Sequence, residues 1–486
     1  MFVLGYQNGA VLHINNPAGS NPSPRVRVRV RVVPLRALYA HRGVTEKKPS
    51  NVVRNKPKRK ICTAEELHYV AVPNSDWRLA LWRYLPSPAA PQRNHPLLLL
   101  SGIGTNAIGY DLSPEYSFAR YMSGQGFDTW ILEVRGAGLS AHRVEFGEDS
   151  TIASANAKST VGTTLSRESQ SKSQLMETVM QSSQRLSGLL NEGEEPDAPQ
   201  FFDLQERLST SLEDFQKQLD LIVKNDWDFD HYLEEDVPAV MEYIRTLSKP
   251  KDGKLLAVGH SMGGILLYAM LSRCGFEGKD SGFASVTTLA SSLDYRPSNS
   301  LLRLLLPLEL MLIHSAEQSD PIQALNVPVI PLGTFLAAIH PFASSPPYVL
   351  SWLKFLISAP DMMHPELFEK LIFSNFGNIP TKLISQLTTV FQEGGLCDRS
   401  GTFFYKDHIG KTNVPVLALA ADQDLICPTE AVYETVKLIP EHLVSFKVFG
   451  EPRGPHYAHY DLVGSRLAAY QVYPCIIEFL TRHDMT

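Results

Sequence analysis

Residues Lys254–Met270, with the sequence KLLAVGHSMGGILLYAM, decide the fold of this chain. A short apolar run meets Gly-His-Ser-Met-Gly at 259–263, and an apolar helical pattern follows at once. This pattern predicts a nucleophile elbow, in which Ser261 sits at the apex of a sharp turn between a strand and a helix. Glycine suits the flanking positions because larger side chains would collide with the adjoining strand and helix. The alternative is an ordinary strand-to-helix turn rich in small residues.

The overall composition is that of a large globular chain. It has 486 residues, of which 44% are hydrophobic, enough for one large core with insertions or for two domains. The formal net charge of −6 argues against nucleic acid as a partner. Five scattered cysteines without metal-ligand spacing indicate free thiols in a reducing compartment. We therefore expect neither a protein-bound metal nor another cofactor.

The first 62 residues are predicted to form a basic leader outside the folded core. Between positions 25 and 60 the chain has thirteen Lys or Arg and a single acid, Glu46. Abundant arginine with almost no acid is typical of an organelle transit peptide, although serines are few here. A disordered basic tail fits the segment equally well. The first interpretation predicts an intracellular protein in the chloroplast, and the second a cytoplasmic one.

Buried strands alternate with helical stretches along the rest of the chain. Runs at 67–72 and 77–85 flank a polar turn and predict an antiparallel hairpin. Further strands are predicted at 97–100, 129–134, 255–258, 285–289, 414–420 and 444–449. The alternation predicts an α/β fold with a mostly parallel, doubly wound sheet that opens with the antiparallel hairpin. Segments 63–147, 225–293 and 413–486 form this predicted core.

Two insertions interrupt the predicted core. Segment 148–224 is expected to be partly disordered. The apolar spacing at 201–222 predicts an amphipathic helix, which is expected to pack on its own domain or, as the alternative, to form a dimerising coiled coil. Segment 294–412 lies between two sheet strands and contains apolar groups with few charges, which predicts a helical lid. Positions 321–353 contain no Asp, Glu, Lys or Arg, but six prolines break any membrane-spanning helix.

A serine nucleophile needs a base and an orienting acid, which follow an elbow in the order acid, then histidine. The acid is expected in the turn ADQDLICP after the strand at 414–420. Asp424 is preferred to Asp422, which lies where a turn-capping residue usually falls. The base is expected in GEPRGPHYAHYD, residues 450–461. There His459 is preferred to His456, because it lies at the end of the loop, just before the next helix.

Two backbone N–H groups are expected to stabilise the oxyanion of the reaction. The first is that of Met262, at the start of the helix after the elbow. The second is that of Ile103, in the loop SGIGTN at 101–106, where Gly102 and Gly104 let the backbone turn its N–H inward.

Taken in order, several pieces of the sequence resemble the α/β-hydrolase superfamily on its lipase and esterase side. They are SGIGTN, FDTWILEVRGAGLS, GHSMGG, PVLALAADQDLICP and AHYDLVG, and they span about residues 66–480. The whole chain is most similar to plant hydrolases with plastid-type leaders. The resemblance implies the α/β-hydrolase fold with an inserted lid, a triad of Ser261, Asp424 and His459, and Ile103 and Met262 as oxyanion donors.

The chain also departs from the family at two motifs. Ser101 stands where a histidine usually precedes Gly102. In the family an acidic residue usually stands ahead of the motif Arg-Gly-x-Gly. In this chain the motif begins at Arg135, and the acidic residue ahead of it is Glu133, two positions earlier. Arg135 is expected to tie loops together rather than to take part in chemistry.

These features favour a serine esterase or lipase-like hydrolase that cleaves hydrophobic carboxylic esters through an acyl-enzyme intermediate. Its expected partner is a hydrophobic ester or acyl substrate, and the lid leaves open a peripheral contact with a membrane or lipid surface. Two alternatives remain at this point. One is an acyltransferase that uses the same triad, and the other is a non-catalytic ligand-binding protein of the same fold.

Overall fold

The computed structural model describes residues 61–142, 227–305, 329–344 and 354–484. The predicted leader, apart from Ile61 and Cys62, lies outside these ranges. The whole of the predicted insertion 148–224, with its amphipathic helix, also lies outside them. Cys62 is buried in the core, so the folded part begins slightly earlier than the predicted boundary. All five cysteines lie in the described ranges and are unpaired, as expected.

Nine strands of the described residues form one sheet. Its members are β1 Glu66–Ala71, β2 Trp77–Tyr84, β3 Leu97–Leu100, β4 Thr129–Leu132, β5 Ala141–His142, β6 Leu255–His260, β7 Phe283–Leu289, β10 Val416–Ala421 and β11 Val444–Phe449. The strand order is β1-β2-β4-β3-β6-β7-β10-β11, with β5 on β2. The pairs β1·β2, β2·β4 and β2·β5 are antiparallel and all others are parallel, which confirms the predicted sheet.

Helices cover the sheet on both sides, as expected for parallel strands that are buried on both faces. They are α1 Phe118–Gly124, α2 Phe229–His231, α3 Val237–Ser248, α4 Met262–Glu277, α9 Thr429–Val436, α10 Asp461–Gly464 and α11 Ala468–Arg482. A π-helical turn, Tyr232–Asp236, joins α2 to α3, and a 3-10 helix, Ala107–Tyr110, follows the loop after β3. Every residue of β3, β4, β6 and β10 is buried, which explains why their sequences are apolar apart from Thr129 at the start of β4 and His260 at the end of β6.

The predicted strand boundaries are correct at β3 and β11 and shifted elsewhere. β10 begins at Val416 rather than at 414, because Pro415 has no N–H to donate to a neighbouring strand. β7 begins at Phe283, two residues before the predicted start. β4 ends at Leu132, two residues before the predicted end, because the chain then turns into the loop that contains Glu133.

The described part of the predicted lid is mainly helical, with α5 Leu332–Ser344, α6 Lys354–Ile357, α7 Pro365–Ser374 and α8 Thr381–Thr388. It also contains a small antiparallel sheet that the sequence did not predict, formed by β8 Val329–Pro331 and β9 Asn378–Pro380. We call the described residues from β8 to α8 the cap. Among the described helices, none has both the length and the apolar character that crossing a membrane requires.

The last part of segment 294–412 is not a lid. The 3-10 helices Tyr405–Asp407 and Ile409–Lys411 pack against α4. Ser272 Oγ in α4 donates to Tyr405 O at 2.6 Å, and a Cβ on Gly275 would lie 3.0 Å from the Lys411 backbone. This stretch therefore completes the helical layer on the sheet, and the predicted boundary at 412 is too late.

Candidate active site

The turn at 259–263 has the strained backbone that an elbow requires. β6 ends at His260 and α4 begins at Met262, so that Ser261 alone joins them. Its φ of 55° and ψ of −123° lie in a region that residues other than glycine rarely adopt. The half-buried serine is thereby held at the carboxyl edge of the sheet, at the N-terminus of α4.

Close backbone packing explains the glycines around the serine. A Cβ on Gly259 would lie 2.5 Å from the carbonyl carbon of Gly263, and a Cβ on Gly263 would lie 2.1 Å from Leu100 O. A Cβ on Gly264 would lie 2.2 Å from Ser291 Oγ. Real Cβ contacts are essentially never below 3.0 Å. Hence β3, β6, α4 and the chain just after β7 can approach this closely only with glycine at these positions.

The loop after β3 lies against the serine. A Cβ on Gly102 would be 3.3 Å from Ser261 Cβ and 3.7 Å from Ser261 Oγ. Neither the N–H of Ile103, the next residue, nor that of Met262 donates to an acceptor within the described residues. The structure thus brings the loop and the elbow together and leaves both predicted donors without an intramolecular acceptor there.

The four candidate residues for acid and base form two separate pairs. His459 Nδ1 lies 2.7 Å from Asp424 Oδ2, and the Asp424 side chain is fully buried. His456 Nδ1 bonds to Asp422 Oδ2 at a position where both side chains are partly exposed. The preferred histidine and the preferred acid are therefore partners, and the two alternatives pair with each other.

The loop after β10 orients the Asp424 carboxylate. Asp424 Oδ1 accepts hydrogen bonds from Ile426 N and Cys427 N, both at 2.8 Å. Oδ2 is left to face His459. A carboxylate at this position accepts from Nδ1–H, which fixes the tautomer of the ring and leaves Nε2 with a free lone pair.

His260 connects the His459 loop to the elbow. His260 Nε2 lies 3.0 Å from His459 O, and the centroids of the two rings are 4.7 Å apart. Burial lowers the pKa of His260 to about 3, so the ring is neutral near pH 7 and donates its one proton to that carbonyl. The His459 ring bonds to Asp424, and no hydrogen bond joins it to the Ser261 hydroxyl in the described part of the chain.

A sequence model for the alpha/beta hydrolase fold matches residues 95–461, well over half of the chain. The chain belongs to the α/β-hydrolase fold family. The matched region includes the elbow, the loop after β3 and both histidine–carboxylate pairs. The sequence has no match among curated proteins.

Several solved structures are similar to this α/β hydrolase. Monoglyceride lipase from Saccharomyces cerevisiae is 13% identical, with a TM-score of 0.49 over 88% of this chain and 99% of that one. Monoacylglycerol lipase from Paleococcus ferrophilus is 12% identical, with a TM-score of 0.42 over 83% and 99%. Proline iminopeptidase from Mycobacterium smegmatis is 14% identical, with a TM-score of 0.40 over 86% and 99%.

Arg135 in this α/β hydrolase joins the loop after β4 to the π-helical turn before α3, rather than to a second loop. Its Nε lies 2.9 Å from Asp236 Oδ1, and its backbone N donates to Asp236 Oδ2 at 3.0 Å. Glu133 is likewise bonded to backbone, accepting from Ala107 N at 2.9 Å and from Leu139 N at 2.8 Å. Burial raises the pKa of Glu133, and the two N–H donors partly offset this.

Asp461 is an anchor of the His459 loop that the sequence reasoning missed. Its carboxylate accepts from Ser358 Oγ at 2.6 Å, Ala359 N at 2.7 Å and Ala458 N at 2.8 Å. Burial raises the pKa of Asp461 to about 6. Asp461 therefore joins the loop of His459 to the chain just after α6. The sequence signal for this anchor is a carboxylate two residues after the candidate base, at the start of the following helix.

Proposed function

We propose that this protein is a serine hydrolase that cleaves carboxylic esters of hydrophobic substrates through an acyl-enzyme intermediate. One observation carries the proposal. The buried His459–Asp424 pair is bonded, through the His459 carbonyl, to the residue that immediately precedes the strained Ser261. Nucleophilic catalysis requires a serine and a histidine held in fixed orientations, and the His260 bond supports this by linking the His459 loop to the elbow.

In the proposed mechanism, Ser261 Oγ attacks the ester carbonyl and His459 Nε2 takes the hydroxyl proton. Asp424 stabilises the resulting imidazolium by accepting from Nδ1–H. Collapse of the tetrahedral intermediate breaks the ester C–O bond, and the Nε2 proton goes to the leaving alcohol. A water molecule then repeats the sequence and releases the acid. In apo structures the serine–histidine contact is often long and tightens with substrate, which is compatible with the missing Ser261–His459 bond.

The N–H groups of Met262 and Ile103 are the proposed oxyanion donors. Support comes from their lack of an acceptor in the described residues and from the contact of Gly102 with the serine. Preorganised donors of this kind each contribute a factor of about 10²–10³ to kcat in serine hydrolases.

The preference for hydrophobic esters is drawn from the cap. α5 contains no Asp, Glu, Lys or Arg. The cap contacts two loops at the carboxyl edge of the sheet. Gly377 N in the cap donates to Gly104 O at 2.7 Å, and Tyr460 N donates to Ile357 O in the cap at 2.8 Å. An apolar cover attached there suits acyl chains and excludes water from the reaction. Such a cover could also make the peripheral lipid contact considered from the sequence.

A fluorophosphonate probe and an ester series test the proposal together. Wild type should be labelled at Ser261, Ser261→Ala should lose both labelling and turnover, and Ser281→Ala, at an outlying loop, should behave as wild type. p-Nitrophenyl octanoate should be hydrolysed faster than the acetate. Residual activity of Ser261→Ala above about a thousandth of wild type would contradict the assigned nucleophile.

The two alternatives are outcomes of the same assays. If wild type forms an acyl-enzyme but transfers the acyl group to an added alcohol faster than to water, the protein is an acyltransferase. If the probe does not label Ser261 and no ester is turned over, the protein is a non-catalytic member of the fold.

A further inference from the structure

The cap is hydrogen-bonded to the loop that contains Ile103. Residues 374–377, from the last residue of α7 to the residue before β9, run beside residues 104–106, and Phe376 forms a β-bridge with Thr105. Gly377 N donates to Gly104 O at 2.7 Å, and Asn106 N donates to Asn375 O at 3.0 Å. We call this contact between 374–377 and 104–106 the cap joint.

One side chain contributes to the joint from the loop. Asn106 Nδ2 donates to Ser374 O at 2.7 Å. The same side chain caps the 3-10 helix Ala107–Tyr110, because Asn106 Oδ1 accepts from Ile108 N at 2.9 Å. Asn106 therefore connects three pieces of backbone: the loop after β3, the following helix and the end of α7.

The joint restricts the loop on the far side of Ile103. On the near side, Gly102 lies against Ser261 and Gly102 O accepts from Thr105 N at 3.3 Å. On the far side, Gly104 has a φ of +63°, and a Cβ there would lie 2.8 Å from Ile379 Cγ1 in the cap. The peptide that contains the Ile103 N–H is thus held between the serine and the cap.

We propose that Asn106 is a positioning residue for the oxyanion donor Ile103, and that it acts by fastening the loop to the cap at Ser374. The inference rests on the proposed function. An oxyanion donor is effective only when its N–H is fixed at the position that the developing charge will occupy. Because the loop is bonded to the cap, the Ile103 N–H is held in place only while the cap joint is intact. Loosening the joint therefore weakens stabilisation of the transition state and slows the chemical step, but leaves substrate binding nearly unchanged.

Three substitutions at one position separate this role from helix capping. Asn106→Ala removes both side-chain bonds. Asn106→Ser retains a good capping group for Ile108 N but has no donor for Ser374 O. Asn106→Asp also retains the cap and turns a carboxylate oxygen toward Ser374 O. A merely structural capping residue would be rescued by Ser and Asp, whereas a positioning residue would not.

The experiment measures kcat and KM for p-nitrophenyl octanoate, the Ki of an alkyl boronic acid, whose serine adduct resembles the tetrahedral intermediate, and the melting temperature. We expect Asn106→Ser and Asn106→Asp to lower kcat about fivefold or more, with KM unchanged and boronate affinity reduced in proportion. Both should melt close to wild type. Asn413→Ser, the same change in an exposed loop beside the start of β10, serves as the matched control and should match wild type throughout.

Wild-type kcat and boronate affinity in Asn106→Ser would overturn the inference while the proposed function stands. A change in KM without a change in kcat would also overturn it, because the residue would then act in uniform substrate binding. Absence of fluorophosphonate labelling in wild type would remove the proposed function, and this inference with it.

Discussion

Asp424→Asn and Asp422→Asn form a matched pair that tests which carboxylate orients the base. The same change is made two positions apart, in two carboxylates that each bond the Nδ1 of a histidine. If Asp424 orients His459 as proposed, Asp424→Asn should lower kcat by about 10⁴-fold, which corresponds to about 5 kcal/mol of transition-state stabilisation. Asp422→Asn should change kcat by no more than a few fold.

The magnitude follows from how the Asp424 side chain is held. Ile426 N and Cys427 N both donate to Oδ1 at 2.8 Å, so an asparagine must keep its carbonyl oxygen there or leave both donors unpaired. An unpaired buried donor such as Cys427 N costs about 1–3 kcal/mol, and the partly buried Ile426 N adds to that cost. The NH₂ group is thereby forced to face His459 Nδ1. That nitrogen must then accept, the ring proton moves to Nε2, and Nε2 can no longer take the proton from Ser261.

Steady-state hydrolysis of p-nitrophenyl octanoate across pH 6–9 is the assay, with melting temperature as a control for folding. Retention of more than about a tenth of wild-type kcat in Asp424→Asn would refute the tautomer argument. An equal loss in both variants would refute the assignment of Asp424 over Asp422. At position 422 an asparagine keeps a carbonyl oxygen for Tyr457 N, which donates to Asp422 Oδ1 at 2.8 Å, and the exposed His456 ring can adjust in solvent.

Three further predictions concern stability. Gly263→Ala should destabilise the fold by about 1–3 kcal/mol or more and abolish activity, because its Cβ would lie 2.1 Å from Leu100 O, whereas Gly124→Ala, with nothing within 4 Å, should melt as wild type. Wild type should lose stability as the pH falls from 6.5, the usual pKa of histidine, toward 3, because the unfolded state takes up a proton that folded His260 does not. Urea titrations of His260→Gln should show a smaller slope over that range, and an unchanged slope would exclude His260 as the cause. Asn375→Leu should leave the fold as stable or raise its unfolding free energy by up to about 1–3 kcal/mol, because neither Oδ1 nor Nδ2 of this buried side chain has a partner in the described residues. A clear loss of stability in the urea titration of that variant would contradict this account.

Local patterns were enough to predict the sheet and the elbow. Gly-x-Ser-x-Gly between an apolar run and a helical pattern predicted β6, the turn and α4, because strand periodicity and turn chemistry are properties of neighbouring residues. The shift of β10 could also be explained locally, since Pro415 cannot donate. The failures occurred where segments far apart in sequence meet. β8 and β9 are three residues each, and they exist as strands because they pair with each other across about fifty residues of chain.

The sequence by itself determined that a serine, two aspartates and two histidines would follow the strands in the order that an α/β hydrolase uses. It left the pairing of those carboxylates and histidines open, because residues 422, 424, 456 and 459 are close together in both loops and each carboxylate is within reach of either histidine. Only the tertiary structure decided that Asp424 pairs with His459, through the two backbone donors that hold Oδ1 and through the His260 bond that holds the His459 carbonyl. It also decided that residues 374–377 of the cap bond to the loop of Ile103, about 270 positions earlier. Contacts across such distances depend on how whole elements pack, and no local pattern of residues encodes them.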